Sequence, residues 1–156
     1  MSKFLGEEVL RKAIQGEKQA MEFYLDVSKM IVNKKSKSLM ESLSNEERKH
    51  MILLEKRYRE LYNKDFEEIE GFIFDPNLRI EKFGLNSKSD AIEILSSAIE
   101  AENNAIKFYF ELLQRVEANE DKELLQSLIE FENSHKKRLQ DEYEKINKDF
   151  IWNIQE

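Results

Sequence analysis

The sequence has no cysteine. Disulfides, zinc–thiolate sites, iron–sulfur clusters and tetrathiolate iron centres are therefore excluded from this chain. Proline occurs once, at Pro76, and glycine only four times. So little turn-forming material disfavours a many-stranded sheet and favours a few long helices. No long basic run is present, which argues against nucleic acid as a partner. No stretch approaches the roughly 18 uninterrupted apolar residues of a membrane-spanning helix, so no membrane association is expected. The opening residues, MSKFLGEEVLRK, lack an apolar signal segment. The expected location is the cytoplasm.

What is present suits a charge-coated helical protein. The 156 residues are 40% hydrophobic and 37% charged, with a net charge of −7. That length is expected to form one domain over residues 1–156. Four segments carry apolar residues at helical spacing. The first runs from about Gly6 to Val32, with the stripe Leu10, Ile14, Glu17, Met21, Tyr24, Ser28, Ile31. The second runs from about Leu39 to Tyr62, through Met40, Leu43, Glu47, His50, Leu54, Arg57 and Leu61. Ser38 and Glu41 are spaced as a capping box for it. The third runs from near Ser89 to near Ala118, through Leu95, Ile99, Glu102, Ile106, Tyr109, Leu113 and Val116. A short turn at Asn119–Asp121 leads to the fourth, with Leu125, Leu128, Glu132, His135, Leu139, Glu142 and Ile146. Residues 63–88 are too long for a tight hairpin and fit a crossover. The expected fold is an all-α antiparallel four-helix bundle: two helical hairpins joined by a long crossover. Phe72, Ile73 and Phe74 in the crossover are read as cover for the bundle, with a homodimer contact as the alternative.

The two hairpins repeat without a gap. Glu17 and Glu102, Glu47 and Glu132, and His50 and His135 are each 85 positions apart. The same offset maps AIQGEKQAMEFY onto AIEAENNAIKFY and LMESL onto LLQSL. Duplicated halves are dependent observations. The informative point is that acids and histidines stay matched while surface positions such as Lys18 and Asn103 differ.

The only histidines, His50 and His135, each follow a glutamate by three residues. Positions i and i+3 share one helix face, so Glu47 points with His50 and Glu132 with His135. Glu17 and Glu102 sit mid-stripe in the other two helices. Glutamate is common in this chain, and a lone Glu-x-x-His would read as solvated surface. Here all four glutamates interrupt apolar stripes. A buried, unpaired carboxylate costs several kcal/mol, and four of them repel one another. Arg57 is the single basic residue in these stripes and lies two turns beyond His50. Two divalent cations would cancel four carboxylate charges. Oxygen and imidazole ligands suit iron or manganese, with zinc as a substitute.

These residues resemble the ferritin-like di-iron carboxylate superfamily, and within it rubrerythrin-like proteins without a rubredoxin domain. AIQGEKQAMEFY followed by SLSNEERKHMILLEK carries the likeness, which covers most of the chain outside the connection and tail. The resemblance implies that Glu17, Glu47, His50, Glu102, Glu132 and His135 bind two iron ions. Glu47 and Glu132 would bridge, and Glu17 and Glu102 would be terminal. It also implies reduction of peroxide or dioxygen, with electrons from an external rubredoxin or flavoprotein. Two departures matter. Rubrerythrins usually carry a seventh glutamate where this chain has Ala105. The haem-binding methionine of bacterioferritin is replaced by Arg48, so no haem is expected. The alternatives are ferroxidase or iron-handling activity, or a purely structural metal. Tyr24 and Tyr109, seven residues beyond Glu17 and Glu102, are candidates for bonding those carboxylates or passing electrons. Their plain role would be as buried core tyrosines.

Overall fold

The computed structural model describes residues 3–79 and 88–148. Four helices dominate them: α1 Glu7–Met30, α2 Lys34–Tyr62, α3 Lys88–Leu113 and α4 Asn119–Lys148. α1 packs along α2, α3 along α4, and α2 also meets α4. Polar pairs give the directions. Tyr58 donates to Glu7 and Ser44 to the Met21 carbonyl, so α1 and α2 are antiparallel. Tyr24 meets Glu102 and Tyr109 meets Glu17, so α1 and α3 are antiparallel too. Arg57 meets Asp121 and Ser36 meets Glu142, which sets α2 against α4 in the same way. The result is the expected all-α antiparallel bundle of two hairpins.

Three boundaries differ from the sequence reading. α2 starts at Lys34 because Asn33 caps it, its side chain accepting from the backbone N–H groups of Lys35 and Ser36. Asparagine is among the best N-caps, so Ser38 lies inside the helix and not at its start. α3 ends at Leu113, short of Ala118. Asn119–Asp121, read as a turn, forms the first turn of α4, where Glu120 and Asp121 oppose the positive helix end. The N-terminal strand of chain helps close this end. The Lys3 carbonyl accepts from the amides of Glu117 and Ala118, and the Leu5 amide donates to Asp121 Oδ2 at 3.1 Å.

The crossover leaves α2 through Asn63, which adopts a left-handed conformation at φ 53°. It then runs along α1, held by Arg11, Gln15 and Gln19. Gln15 Nε2 donates to the carbonyls of Ile69 and Phe72, and its Oε1 accepts from the Ile69 amide. Gln19 treats Asp75 in the same way. Phe74 packs edge-on against Phe108 of α3 and covers Gly16 of α1. A Cβ at Gly16 would lie 2.7 Å from the Phe74 ring. Phe72 and Phe74 thus cover the bundle as expected, while Ile73 faces solvent. Residues 80–87 of the predicted crossover and the tail after Lys148 lie outside the described residues.

The core falls into two apolar clusters. One contains Leu10, Ile14, Leu54, Tyr58, Leu125 and Leu128. The other contains Phe23, Val27, Met40, Leu43, Leu95 and Leu139. Burying each such side chain contributes about 1.5–3 kcal/mol. Between the two clusters lies a polar layer.

Candidate metal centre

The structure brings all six predicted residues into that layer. Glu17, Glu47, His50, Glu102, Glu132 and His135 are each at most 3% exposed. α1 supplies Glu17, α3 supplies Glu102, and α2 and α4 each supply a Glu–His pair one turn apart. Both imidazoles present Nδ1 to the carboxylates. His50 Nδ1 lies 3.2 Å from Glu47, 3.1 Å from Glu132 and 3.5 Å from Glu17. His135 Nδ1 lies 3.1 Å from Glu47, 3.6 Å from Glu102 and 3.7 Å from Glu132. The rings are stacked with centroids 5.5 Å apart.

Overlapping sets of donor atoms result, two of them of four residues and a third of Glu47, His50 and His135. Glu17, Glu47, His50 and Glu132 form one of the four-residue sets, and Glu47, Glu102, Glu132 and His135 the other. Within each set the atoms lie within 4.8 Å of one another, and Glu47 and Glu132 belong to both of the larger ones. Glu17 Oε2, Glu102 Oε2, one oxygen each of Glu47 and Glu132, and both Nδ1 atoms are buried without a hydrogen-bond partner. Such orphaned atoms are costly unless something pairs with them. Arg57 does not: it bonds Asp121 at 2.6 Å and Glu120 at 2.7 Å, away from the centre. Hard oxygen donors plus two imidazoles fit iron or manganese.

Tyr24 and Tyr109 cross between the hairpins. Tyr24 donates to Glu102 Oε1 at 2.7 Å, and Tyr109 donates to Glu17 Oε1. Glu102 and Glu17 therefore each have one oxygen held and the other free. Burial, and then the charges of Glu102 and Glu17 respectively, push the two phenols well above their ordinary range, so both remain proton donors. Burial and the neighbouring carboxylates push Glu47 and Glu132 well up. Burial opposes a charged His50, but Glu132 and Glu17 outweigh it and raise its pKa to about 9. His135 is raised likewise, burial being outweighed by Glu102 and Glu46. With protons alone, the cluster shares them among groups built to bind cations.

Beside the carboxylates is a cavity of about 20 Å³, lined by Ala20, Ala105, Glu17, Glu102, Phe74 and Leu78, among others. That is room for about one water-sized molecule.

The rubrerythrin family profile matches residues 8–143. The chain belongs to the rubrerythrin family. A hypothetical protein from Pyrococcus furiosus is 32% identical over 91% of this chain and 90% of its own, with a TM-score of 0.82. Two more distant structures share the ferritin-like fold. A dodecameric thioferritin, the bacterioferritin-related protein of Bacteroides fragilis, is 20% identical over 91% of this chain and 86% of its own, with a TM-score of 0.71. CopM in its Cu(II)-bound form is 11% identical over 89% of this chain and 95% of its own, with a TM-score of 0.74. No curated protein matches the sequence at a significant level. No described helix is long and apolar enough to cross a membrane. Family and buried cluster both point to metal binding.

In this rubrerythrin-family chain, sequence reasoning missed Glu46, whose Oε1 lies 3.5 Å from His135 Nε2. The available signal was a break in the repeat, since Glu46 corresponds to Phe131. It also missed Phe74 and Leu78 as walls of the cavity, because nothing local links the crossover to Glu17.

Proposed function

We propose that the protein is a non-haem di-iron oxidoreductase that reduces peroxide or dioxygen. The observation that carries this reading is the pair of donor sets sharing Glu47 and Glu132, with the orphaned atoms turned inward. Glu17 and His50 would hold one ion, Glu102 and His135 the other, and Glu47 and Glu132 would bridge. When bound, an iron pair supplies the two electrons that, with two protons, convert one peroxide into two waters. The chain's own groups prepare the site. Tyr24 and Tyr109 hold one oxygen of each terminal carboxylate and leave the other for metal. The two apolar clusters exclude bulk water, and the cavity restricts what can approach. Electrons are to be restored from outside, and a rubredoxin or flavoprotein is the proposed donor, in the cytoplasm.

Ferroxidation in iron handling is the second reading. It is favoured by Ala105, which lines the cavity where the resemblance implies a seventh carboxylate in peroxide-reducing members. One experiment separates the two. Protein purified from its own source is analysed for metal, reduced, and mixed with peroxide in the presence of a reduced donor. Repeated turnover supports the oxidoreductase. A single stoichiometric oxidation that stops with donor still present supports iron handling. A colourless protein indifferent to chelation would sink both.

A further inference from the structure

At the centre the carboxylate, imidazole and tyrosine positions match between the hairpins, yet one equivalent pair beside them carries opposite chemistry. Glu46 and Phe131 are related by the repeat. Glu46 faces His135, whereas Phe131 faces His50. His135 Nε2 is buried, has no hydrogen-bond partner, and lies 3.5 Å from Glu46 Oε1. The other oxygen of Glu46 is clamped, accepting from Arg138 Nη1 at 2.6 Å and Ser42 Oγ at 3.1 Å. Arg138 Nη2 also donates to Ser42 at 2.8 Å. The clamp leaves Oε1 turned towards the imidazole. His50 is placed differently. Its paired carboxylates, Glu17, Glu47 and Glu132, all lie at Nδ1. Its ring packs on Phe131, with centroids 4.8 Å apart. Beside it is an open groove of about 480 Å³ lined also by Lys49, Ile52 and Leu53, with Glu46 at its edge.

We propose that the two metal positions are inequivalent, and that Glu46 makes them so by orienting His135. The inference rests on the two-metal reading above. A metal on Nδ1 takes that nitrogen's lone pair, so the ring proton must sit on Nε2. A carboxylate facing that N–H fixes the ring's rotation and raises its basicity, which strengthens its bond to metal. A phenyl ring supplies neither effect. The Glu102–His135 position is therefore the tight one. The Glu17–His50 position, beside the groove, is the weak and exchangeable one. Arg138 and Ser42 act through Glu46.

Anaerobic titration of the full chain with Fe(II), and with Co(II) as a spectroscopic probe, tests this. Wild type should bind two ions in resolvable steps. Glu46→Ala should weaken one step by about 10- to 100-fold, the usual loss when an imidazole's outer partner is removed. It should alter the Co(II) spectrum of that step alone, and Glu46→Gln should restore part of the affinity. Phe131→Leu should leave both steps within a few-fold of wild type. In a Glu17→Ala background, which cripples the weak position, Glu46→Ala should still weaken the remaining ion. In a Glu102→Ala background it should change little. Equal weakening of both steps, no weakening, or a Phe131→Leu loss as large as that of Glu46→Ala overturns the inference alone. Wild type that takes up fewer than two ions overturns the two-metal reading with it.

Discussion

The two ends of the bundle solve one problem in two ways. At one end Arg57 of α2 bonds Asp121 of α4. The repeat places Glu142 where Arg57 would be and Ser36 where Asp121 would be. There the acid lies on α4 and the donor is the Ser36 hydroxyl. Both arrangements give a buried acid a donor, and both leave the helices antiparallel. The donor residues in the middle of the bundle show no such freedom. Glu, His and Tyr recur at equivalent positions, and atoms of the carboxylates and imidazoles are left without partners. Where the only demand is a satisfied hydrogen bond, the duplicated halves have drifted apart in chemistry. Where both halves turn donor atoms to one shared site, they have kept the same side chains, and only behind the imidazoles do Glu46 and Phe131 differ.

Breaking the middle should have the largest effect. Glu47→Ala and Glu132→Ala should lose more bound metal than Glu17→Ala and Glu102→Ala, because under the proposed two-metal reading they would bridge and serve both ions. Glu47→Ala and Glu132→Ala should also remove repulsion, so the metal-free melting temperature should hold or rise while metal content falls. In Glu17→Ala and Glu102→Ala a buried tyrosine hydroxyl loses its acceptor, which offsets that gain. Elemental analysis and thermal melting check both halves of the statement. Equal metal content in all four variants would contradict the bridging roles. Removing metal from wild type should lower its melting temperature. An ion present at about 1,000 times its dissociation constant stabilises by about 4 kcal/mol.

Breaking an end should harm stability and spare metal. Arg57→Met leaves Asp121 buried beside the Leu5 amide, without its cation. A cost of about 3–5 kcal/mol is expected in chemical denaturation. Ser36→Ala removes a neutral donor and should cost about 1–3 kcal/mol. A loss of metal as large as in the Glu47 variant would mean that the ends and the centre are not separable.

The pH response should have opposite signs with and without metal. His50 has its pKa raised from 6.5 to about 9, and Glu47 and Glu132 are also raised. Groups raised on folding stabilise below their unfolded values, and that contribution fades as pH climbs through the folded ones. Metal-free protein should therefore lose stability as pH climbs above the carboxylates' ordinary value of 4.5, and further through the His50 window from 6.5 to about 9. Metal competes with the same protons, so its stabilisation should grow over that window. Melting curves of the two forms should diverge, and parallel curves would show that the protons lie elsewhere.

The smallest expected effect concerns Gly16 and its equivalent, Ala101. Gly16→Ala drives a methyl into Phe74 and should cost about 1–3 kcal/mol, less the helix gain of about 1 kcal/mol. Ala101→Gly loses helix propensity, about 0.5–1 kcal/mol, and a buried methyl worth about 0.8 kcal/mol more. A net gain in stability for Gly16→Ala in denaturation would show that Phe74 yields freely.

The centre was legible because its signals are local. Glu47 with His50, and Glu132 with His135, lie one helical turn apart, and Glu17 and Glu102 interrupt stripes that a period of 3.6 exposes. The repeat then placed all six at one depth. Glu46 was not legible, since its partner His135 lies on another helix and its own neighbours suggest surface. The course of the crossover was hidden for a related reason. Gln15 and Gln19 look like ordinary polar positions until Ile69 and Asp75 are seen against them. The start of α2 was misplaced because Asn33 competed with Ser38, and the asparagine side chain won the amides of Lys35 and Ser36.

Arg11, Gln15 and Gln19 are spaced four apart, so they form one ridge along α1. Their side chains reach the backbone of residues 67–78 in the same order. The ridge works as a surrogate strand edge, with glutamine amides standing in for peptide groups. A segment without helix or strand thereby gains protection that its own backbone could not give it. The amides of Ile69 and Asp75 should exchange with deuterium far more slowly than their neighbours. That protection exists only while α1 is wound, so it should be lost whenever the helix opens. Gln15→Ala should release the Ile69 amide while leaving the interior amides of α1 protected.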